Sequence, residues 1–336
     1  MLISKYMKKN IFKKIFIKFC KLVGYEIIDQ NEYYSPSLKK NLNENLSNLD
    51  KSIVIPLGEV KIIKKIRNLS IMFRTNSNID IWDQNKKRIF EKPKIEYVLR
   101  ALNSVIKSIA KLKEKKPDFT VKFYIIDDNS TEKNLNKIQN LLGNVNFEYN
   151  IINHNNEIHK NIIIDKNKET YSNLSSLLKC FEIAKENEND LFYFLEDDYI
   201  HFDYSLLNMI DTFERISSQL KKDVIICPSD YPFNYMNIEK SNILIGSNQH
   251  WRTITKILCT FMITKKMFNQ NWELFKKTCL TRNDPFEKYI NKILESEVGI
   301  SPIKSLAIHM TNVNSSYGLS PFIDIKKLWD ENKTDL

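Results

Sequence analysis

Two short apolar runs that end abruptly on carboxylates constrain this chain more than any other feature. Val121 to Ile126 (VKFYII) leads directly into Asp127, Asp128, Asn129, Ser130 and Thr131, and Leu191 to Leu195 (LFYFL) leads into Glu196, Asp197 and Asp198. Apolar runs of this length closed by polar turn residues are strand signals. Ser70–Thr75 (SIMFRT) reads as a third strand and the stretch near Phe147–Asn153 as a fourth. Helical spacing separates them: Ile95–Lys113 through Val98, Leu99, Leu102, Val105, Ile106 and Ile109; a helix over 132–142 stopped by Gly143; and a helix over Tyr171–Lys185. Strands alternating with helices predict βαβ units and an α/β fold with a mostly parallel sheet flanked by helices. Ligands of such sheets bind beyond the carboxyl ends of the strands, and both acidic clusters stand there.

Three adjacent carboxylates at 196–198 repel one another unless a cation sits among them. Hard divalent ions such as Mg²⁺ and Mn²⁺ take oxygen ligands and commonly bridge one or two carboxylates to substrate phosphates. The ordinary alternative is a helix cap with solvated acids. The second acidic pair on the same expected ridge favours the ion site.

Charge points elsewhere at first. Lys plus Arg is 51 against 41 Asp plus Glu, a formal +10. Seven lysines (Lys5, Lys8, Lys9, Lys13, Lys14, Lys18, Lys21) precede the first acid, Glu26, so the body of the chain carries only about +3 and nucleic acid is not an expected partner. Phe12, Ile15, Phe16, Phe19, Leu22 and Val23 recur at helical spacing with lysines on the opposite arc, a basic amphipathic helix over residues 1–25. Such a helix either docks on an anionic membrane surface or packs on the domain with a solvated lysine face. Residues 26–69 read as a polar, Asn-rich connector. The five cysteines are odd in number and scattered, which fits reduced thiols, and no run approaches a spanning helix, so the expected location is cytoplasmic, at most at the inner face of a membrane.

The runs SIMFRT, YIIDDNST and YFLEDDYIHFDYSLL, taken in order, resemble the nucleotide-sugar half of a GT-A fold glycosyltransferase, broadly of family 2, with an EDD form similar to the family 13 N-acetylglucosaminyltransferases. The similarity continues through VIICPSDY (Val224–Tyr231), HWRTITKILCTFMITKKMF (His250–Phe268), Asn283–Phe286 and ISPIKSLAIHMT (Ile300–Thr311). It spans roughly residues 70–312 and implies a nucleotide-sugar-binding half over 70–200 and an acceptor-binding half over 201–336. The chain departs from that pattern where Ile254–Cys259, without glycine, replaces a Gly-rich stretch.

Carried over residue by residue, the resemblance implies Mn²⁺ or Mg²⁺ on Asp198, with Asp197 and His309 as further ligands. Glu196 and Asp197 would support the ribose and Asp127 would accept from the base. Arg74 and Thr75 would approach the nucleotide, while Trp251 and Arg252 would meet the acceptor. Asp284 would be the general base of an inverting transfer from a nucleotide-diphosphate sugar to a hydroxyl of a glycan or glycolipid. Asn-Asp-Pro is equally an ordinary helix start, and His309 could equally be a packed core histidine. Two other readings compete. A sugar-phosphate nucleotidyltransferase needs a Gly-rich phosphate loop after the first strand, yet residues 74–93 contain no glycine. A noncatalytic membrane-surface protein would rest on the basic helix alone.

Overall fold

The computed structural model describes residues 2–25, 51–55, 58–78, 88–165, 167–236, 238–311 and 315–335. Two compact units, Met1–Lys61 and Ile62–Leu336, are described separately. The first contains α1 (Leu2–Leu22) and a hairpin of β1 (Ser52–Ile55) and β2 (Gly58–Lys61). On α1 and just past its end, Phe12, Ile15, Phe16, Phe19, Leu22 and Val23 are 55–85% exposed. The hairpin lies inside the segment expected to be a connector; residues 26–50 of that segment fall outside the described residues.

The larger unit is built on a nine-stranded sheet ordered β5-β4-β3-β6-β11-β8-β12-β10-β9. Its strands are β3 (Asn68–Thr75), β4 (Thr120–Asp127), β5 (Glu148–Asn153), β6 (Leu191–Glu196), β8 (Val224–Ile226), β9 (Ile243–Ile245), β10 (His250–Ile254), β11 (Phe261–Thr264) and β12 (Val298–Pro302). Seven strands run one way, and only β10 and β11 run against them, so the sheet is mostly parallel as expected. Three crossover helices, α2 (Lys94–Lys115), α3 (Glu132–Leu142) and α4 (Lys168–Glu186), connect β3 to β4 to β5 to β6, and α5 (Ser205–Leu220) follows. A separate two-stranded sheet pairs β7 (Tyr199–His201) with β13 (Ala307–His309).

The core follows from the sequence pattern. β6 is buried from Leu191 to Leu195, and α2 buries Val98, Leu99, Leu102, Val105, Ile109 and Leu112 along one face. Thr131 caps α3 by accepting from the Asn134 amide, which fixes where the loop after Asp127 ends. Trp251 is fully buried in β10, against Gly246. A Cβ at Gly246 would stand 2.2 Å from the indole nitrogen, so this close approach needs glycine.

Candidate active site

The ends of β4, β3 and β6 lie side by side, with Asp127 across from Thr75 and Arg74 across from Glu196. Neighbouring strands are about 4.8 Å apart, so the two acidic motifs face one another across about 10 Å. Thr75 joins them: its hydroxyl donates to Asp197 Oδ2 at 3.1 Å, and the Asn76 amide donates to the same oxygen at 3.0 Å. The sheet therefore brings together the two motifs that the sequence separates by about seventy residues.

Each acid has a distinct environment. Glu196 pairs with Arg74 at 2.8 Å, and Arg74 also donates to the Asn173 carbonyl. Asp128 accepts from Asn156 at 2.8 Å and from the Ser172 hydroxyl. Asp127 takes the Ser130 amide on Oδ2, while Oδ1 is buried and unpartnered. Burial raises the Asp127 pKa, and the nearby charges of Asp128 and Asp197 add to the rise. Asp197 is engaged on both oxygens, the second by Lys94 Nζ at 2.5 Å. Asp198 has Oδ1 buried without a partner, and Oδ2 stands 3.5 Å from His309 Nε2 and 3.9 Å from Lys94 Nζ. Burial opposes charge on Asp198, but Lys94 and then His309 hold its pKa well below the carboxylate range.

His309 arrives from the other end of the chain. β13 pairs with β7 so that His309 stands opposite Tyr199, and the Met310 amide donates to the Asp198 carbonyl at 2.8 Å. The two rings stack with centroids 4.6 Å apart and planes 2° from parallel. His309 Nδ1 is 2.8 Å from the Tyr317 carbonyl, so Nδ1 carries a proton and Nε2 turns toward Asp198; burial opposes charge on the ring, but Asp198 and then Glu196 raise its pKa. A histidine whose far nitrogen donates to a carbonyl is the usual arrangement of a metal-ligating imidazole.

No group of three or more His, Cys, Asp or Glu side chains among the described residues is arranged to hold an ion. Asp198 Oδ1, and His309 Nε2 once that nitrogen has given up its proton to make room for the ion, nevertheless fit one: a hard cation is commonly held by one or two protein ligands plus substrate phosphates. Asp197 does not fit as a ligand, because Thr75, Asn76 and Lys94 already engage it. Thr75 is likewise buried and committed to Asp197, and so does not present itself to a nucleotide.

One further expectation needs correction. Trp251 is core rather than acceptor surface, since its indole is sealed beneath Gly246. Asp284 is exposed, and among the described residues no hydrogen bond or ion pair links it to the ridge. Three residues later Glu287 stands just before the short helix Lys288–Ile293 without a side-chain capping bond, with Cys259 Sγ at 3.9 Å from its carboxylate. Burial, reinforced by the charge of Glu196, pushes Glu287 up to about 7, with His309 also in electrostatic reach. Nothing in the sequence singles out Lys94, and Glu287 is signalled only by its place two positions after Asn283-Asp284-Pro285. Arg252 is paired to Asp230 at 3.1 Å and lies over the Tyr235 ring at 4.4 Å.

Solved structures that resemble this one are glycosyltransferases. Residues 1–349 of S. aureus TarS align over 71% of this chain and 59% of that one, at 12% identity and a TM-score of 0.40. The galactosyltransferase LgtC with donor and acceptor sugar analogues aligns over 67% of this chain and 69% of its own, at 12% identity and a TM-score of 0.31. The bifunctional glycosyltransferase WbbM aligns over 68% of this chain and 37% of its own, at 8% identity and a TM-score of 0.35. This chain thus spans less than two thirds of the length of TarS. No protein-family model and no curated protein sequence matches it. At such low likeness, the roles of individual residues rest on the geometry of this chain.

Proposed function

We propose that the chain is a metal-dependent glycosyltransferase that moves a sugar from a nucleotide-diphosphate sugar to a hydroxyl of a glycan or glycolipid, with inversion. The observation that carries this reading is the ridge made by β4, β3 and β6, which leaves two buried carboxylate oxygens unpaired, Asp127 Oδ1 at one end and Asp198 Oδ1 at the other. An unpaired buried acceptor is costly and calls for a ligand. An N–H of the base suits the first, and a cation on the diphosphate suits the second. Bound on Asp198 and His309, Mn²⁺ or Mg²⁺ would supply neutralisation of the charge that grows on the departing diphosphate.

The remaining chemistry belongs to side chains of this chain. Glu287, in the role first expected of Asp284, takes the acceptor hydroxyl's proton as that oxygen bonds to the anomeric carbon and the bond to the diphosphate breaks. A carboxyl held near 7 is matched to that task at neutral pH. Arg74 holds Glu196 in place at the ridge, and Arg252 with Tyr235 forms part of the acceptor side.

Sugar transfer is measured with Mn²⁺ and with EDTA for wild type and Asp198→Ala. Loss of transfer in EDTA and in the variant supports the reading; equal activity in all arms removes the ion from it. The lysines and the exposed apolar arc of α1 support a peripheral contact with anionic membrane as part of the same proposal. Five free cysteines support a reducing, cytoplasmic setting. No helix among the described residues is long and apolar enough to cross a membrane.

A further inference from the structure

The acidic ridge contains a cation of its own, in a place where helix electrostatics disfavours one. Lys94 opens α2, and the N-terminal turn of a helix carries partial positive charge, so a lysine there is repelled unless something stronger holds it. Asp197 does so. The lysine side chain is only 16% exposed, its Nζ is 2.5 Å from Asp197 Oδ1 and 3.9 Å from Asp198 Oδ2, and the other oxygen of Asp197 takes Thr75 and Asn76. Two neighbouring aspartates that look alike in sequence are thereby made different: Asp197 is saturated, and Asp198 keeps a buried oxygen open.

We propose that Lys94 is a positioning residue that withholds Asp197 from a divalent cation, so that the donor-free protein offers an ion little beyond Asp198 and His309. This rests on the metal-dependent reading above. One carboxylate and one imidazole beside an ammonium make a weak cation site in the absence of phosphate oxygens. Binding of the ion is then tied to the arrival of the donor. Without Lys94, a second carboxylate becomes free and a repelling charge disappears, so the donor-free protein gains affinity for the ion.

The test is calorimetric titration of Mn²⁺ into the donor-free full chain, for wild type, Lys94→Met, Lys94→Arg, Asp197→Asn, Asp198→Asn and the Lys94→Met/Asp197→Asn pair. Lys94→Met is expected to bind Mn²⁺ about tenfold or more tightly than wild type, since removing a unit charge a few ångströms away is a large electrostatic change. Lys94→Arg stays close to wild type, and Asp197→Asn erases the gain in the Lys94→Met background. An unchanged or weaker Mn²⁺ affinity in Lys94→Met, or a gain that survives in the double variant, overturns the proposal. Should Lys94→Met fail to fold, the single variants still decide: Asp198→Asn must weaken Mn²⁺ binding more than Asp197→Asn, and the opposite ranking overturns it. A chain that takes up no Mn²⁺ even with donor sinks the metal-dependent reading and this inference together. Mn²⁺ uptake through Asp198 with no effect of Lys94 sinks this inference alone.

Discussion

Replacing Glu287 by Gln separates the proposed base from a merely buried acid, because stability and activity should move in opposite directions. Burial and the neighbouring Glu196 hold the Glu287 pKa at about 7 in place of an ordinary 4.5. An acid whose pKa is raised on folding binds its proton more tightly in the native state than in the unfolded chain. Stability therefore falls as pH rises from about 4.5 to about 7, and above that window the cost is complete, at about 3 kcal/mol. Glutamine carries no charge at any pH. Glu287→Gln should then match wild type near pH 4.5 and be the more stable protein at pH 8, by roughly 5–10 °C in Tm for a unit of this size. Transfer should drop by about 10² to 10⁴, the usual worth of a positioned general base. In wild type, kcat should rise with pH through about 7 as the carboxylate forms. Thermal melts at the two pH values and a kcat profile check both halves. A Tm difference that is the same at both pH values would refute the burial argument, and a variant that keeps its kcat would remove Glu287 from the chemistry.

Trp251→Ala should cost about 3–5 kcal/mol, read by denaturant unfolding, because it empties a sealed core site; acceptor KM in the folded fraction should be unchanged, and a rise in KM with normal stability would return Trp251 to the acceptor surface. Phe16→Ser combined with Phe19→Ser should abolish co-sedimentation with anionic vesicles while transfer to a soluble acceptor persists, since both rings lie on the exposed arc of α1; equal vesicle binding by wild type and variant would count against a membrane role. With Mn²⁺ present, nucleoside diphosphates whose base offers a ring N–H should raise Tm more than those that offer only an acceptor there, about 2.7 kcal/mol at a hundredfold excess over Kd, because Asp127 Oδ1 lacks a donor; indifference to the base would remove Asp127 from recognition.

The first half of the large sheet was legible because its signals are local. Strands β3, β4 and β6, their acidic ends and the helices between them all follow from periodicity read in windows of a dozen residues, and Gly143 and Thr131 mark the bounds of α3. Less was legible where the outcome depends on tertiary neighbours. The expected closing strand near Ile300–Thr311 is two strands, β12 in the large sheet and β13 paired to β7, because the chain turns between Pro302 and Ala307 to serve two different sheets. Trp251 looked like a sugar platform because aromatic residues serve both roles, and only the packing of Gly246 against it distinguishes them. Asp197 and Asp198 are indistinguishable as letters; Lys94, a hundred residues earlier, makes one of them unavailable. Asp284 drew attention through its motif, whereas burial, which sequence does not report, singles out Glu287.

The pattern of satisfied and unsatisfied acids also discriminates between classes of ligand. If the ridge served only to fold the chain, its carboxylates would all be paired, as Glu196 is by Arg74 and Asp128 by Asn156 and Ser172. If it served only to store an ion, the open oxygens would cluster. Instead the two open oxygens belong to Asp127, at the end of β4, and Asp198, two residues beyond β6, strands that β3 holds about 10 Å apart, and Asp197 next to Asp198 is fully engaged. One ligand that fills both must present a donor at one end and draw a cation to the other. A base joined through ribose to a diphosphate has that polarity, whereas an anionic lipid headgroup or a nucleic acid backbone presents negative charge to acids that have no reason to accept it.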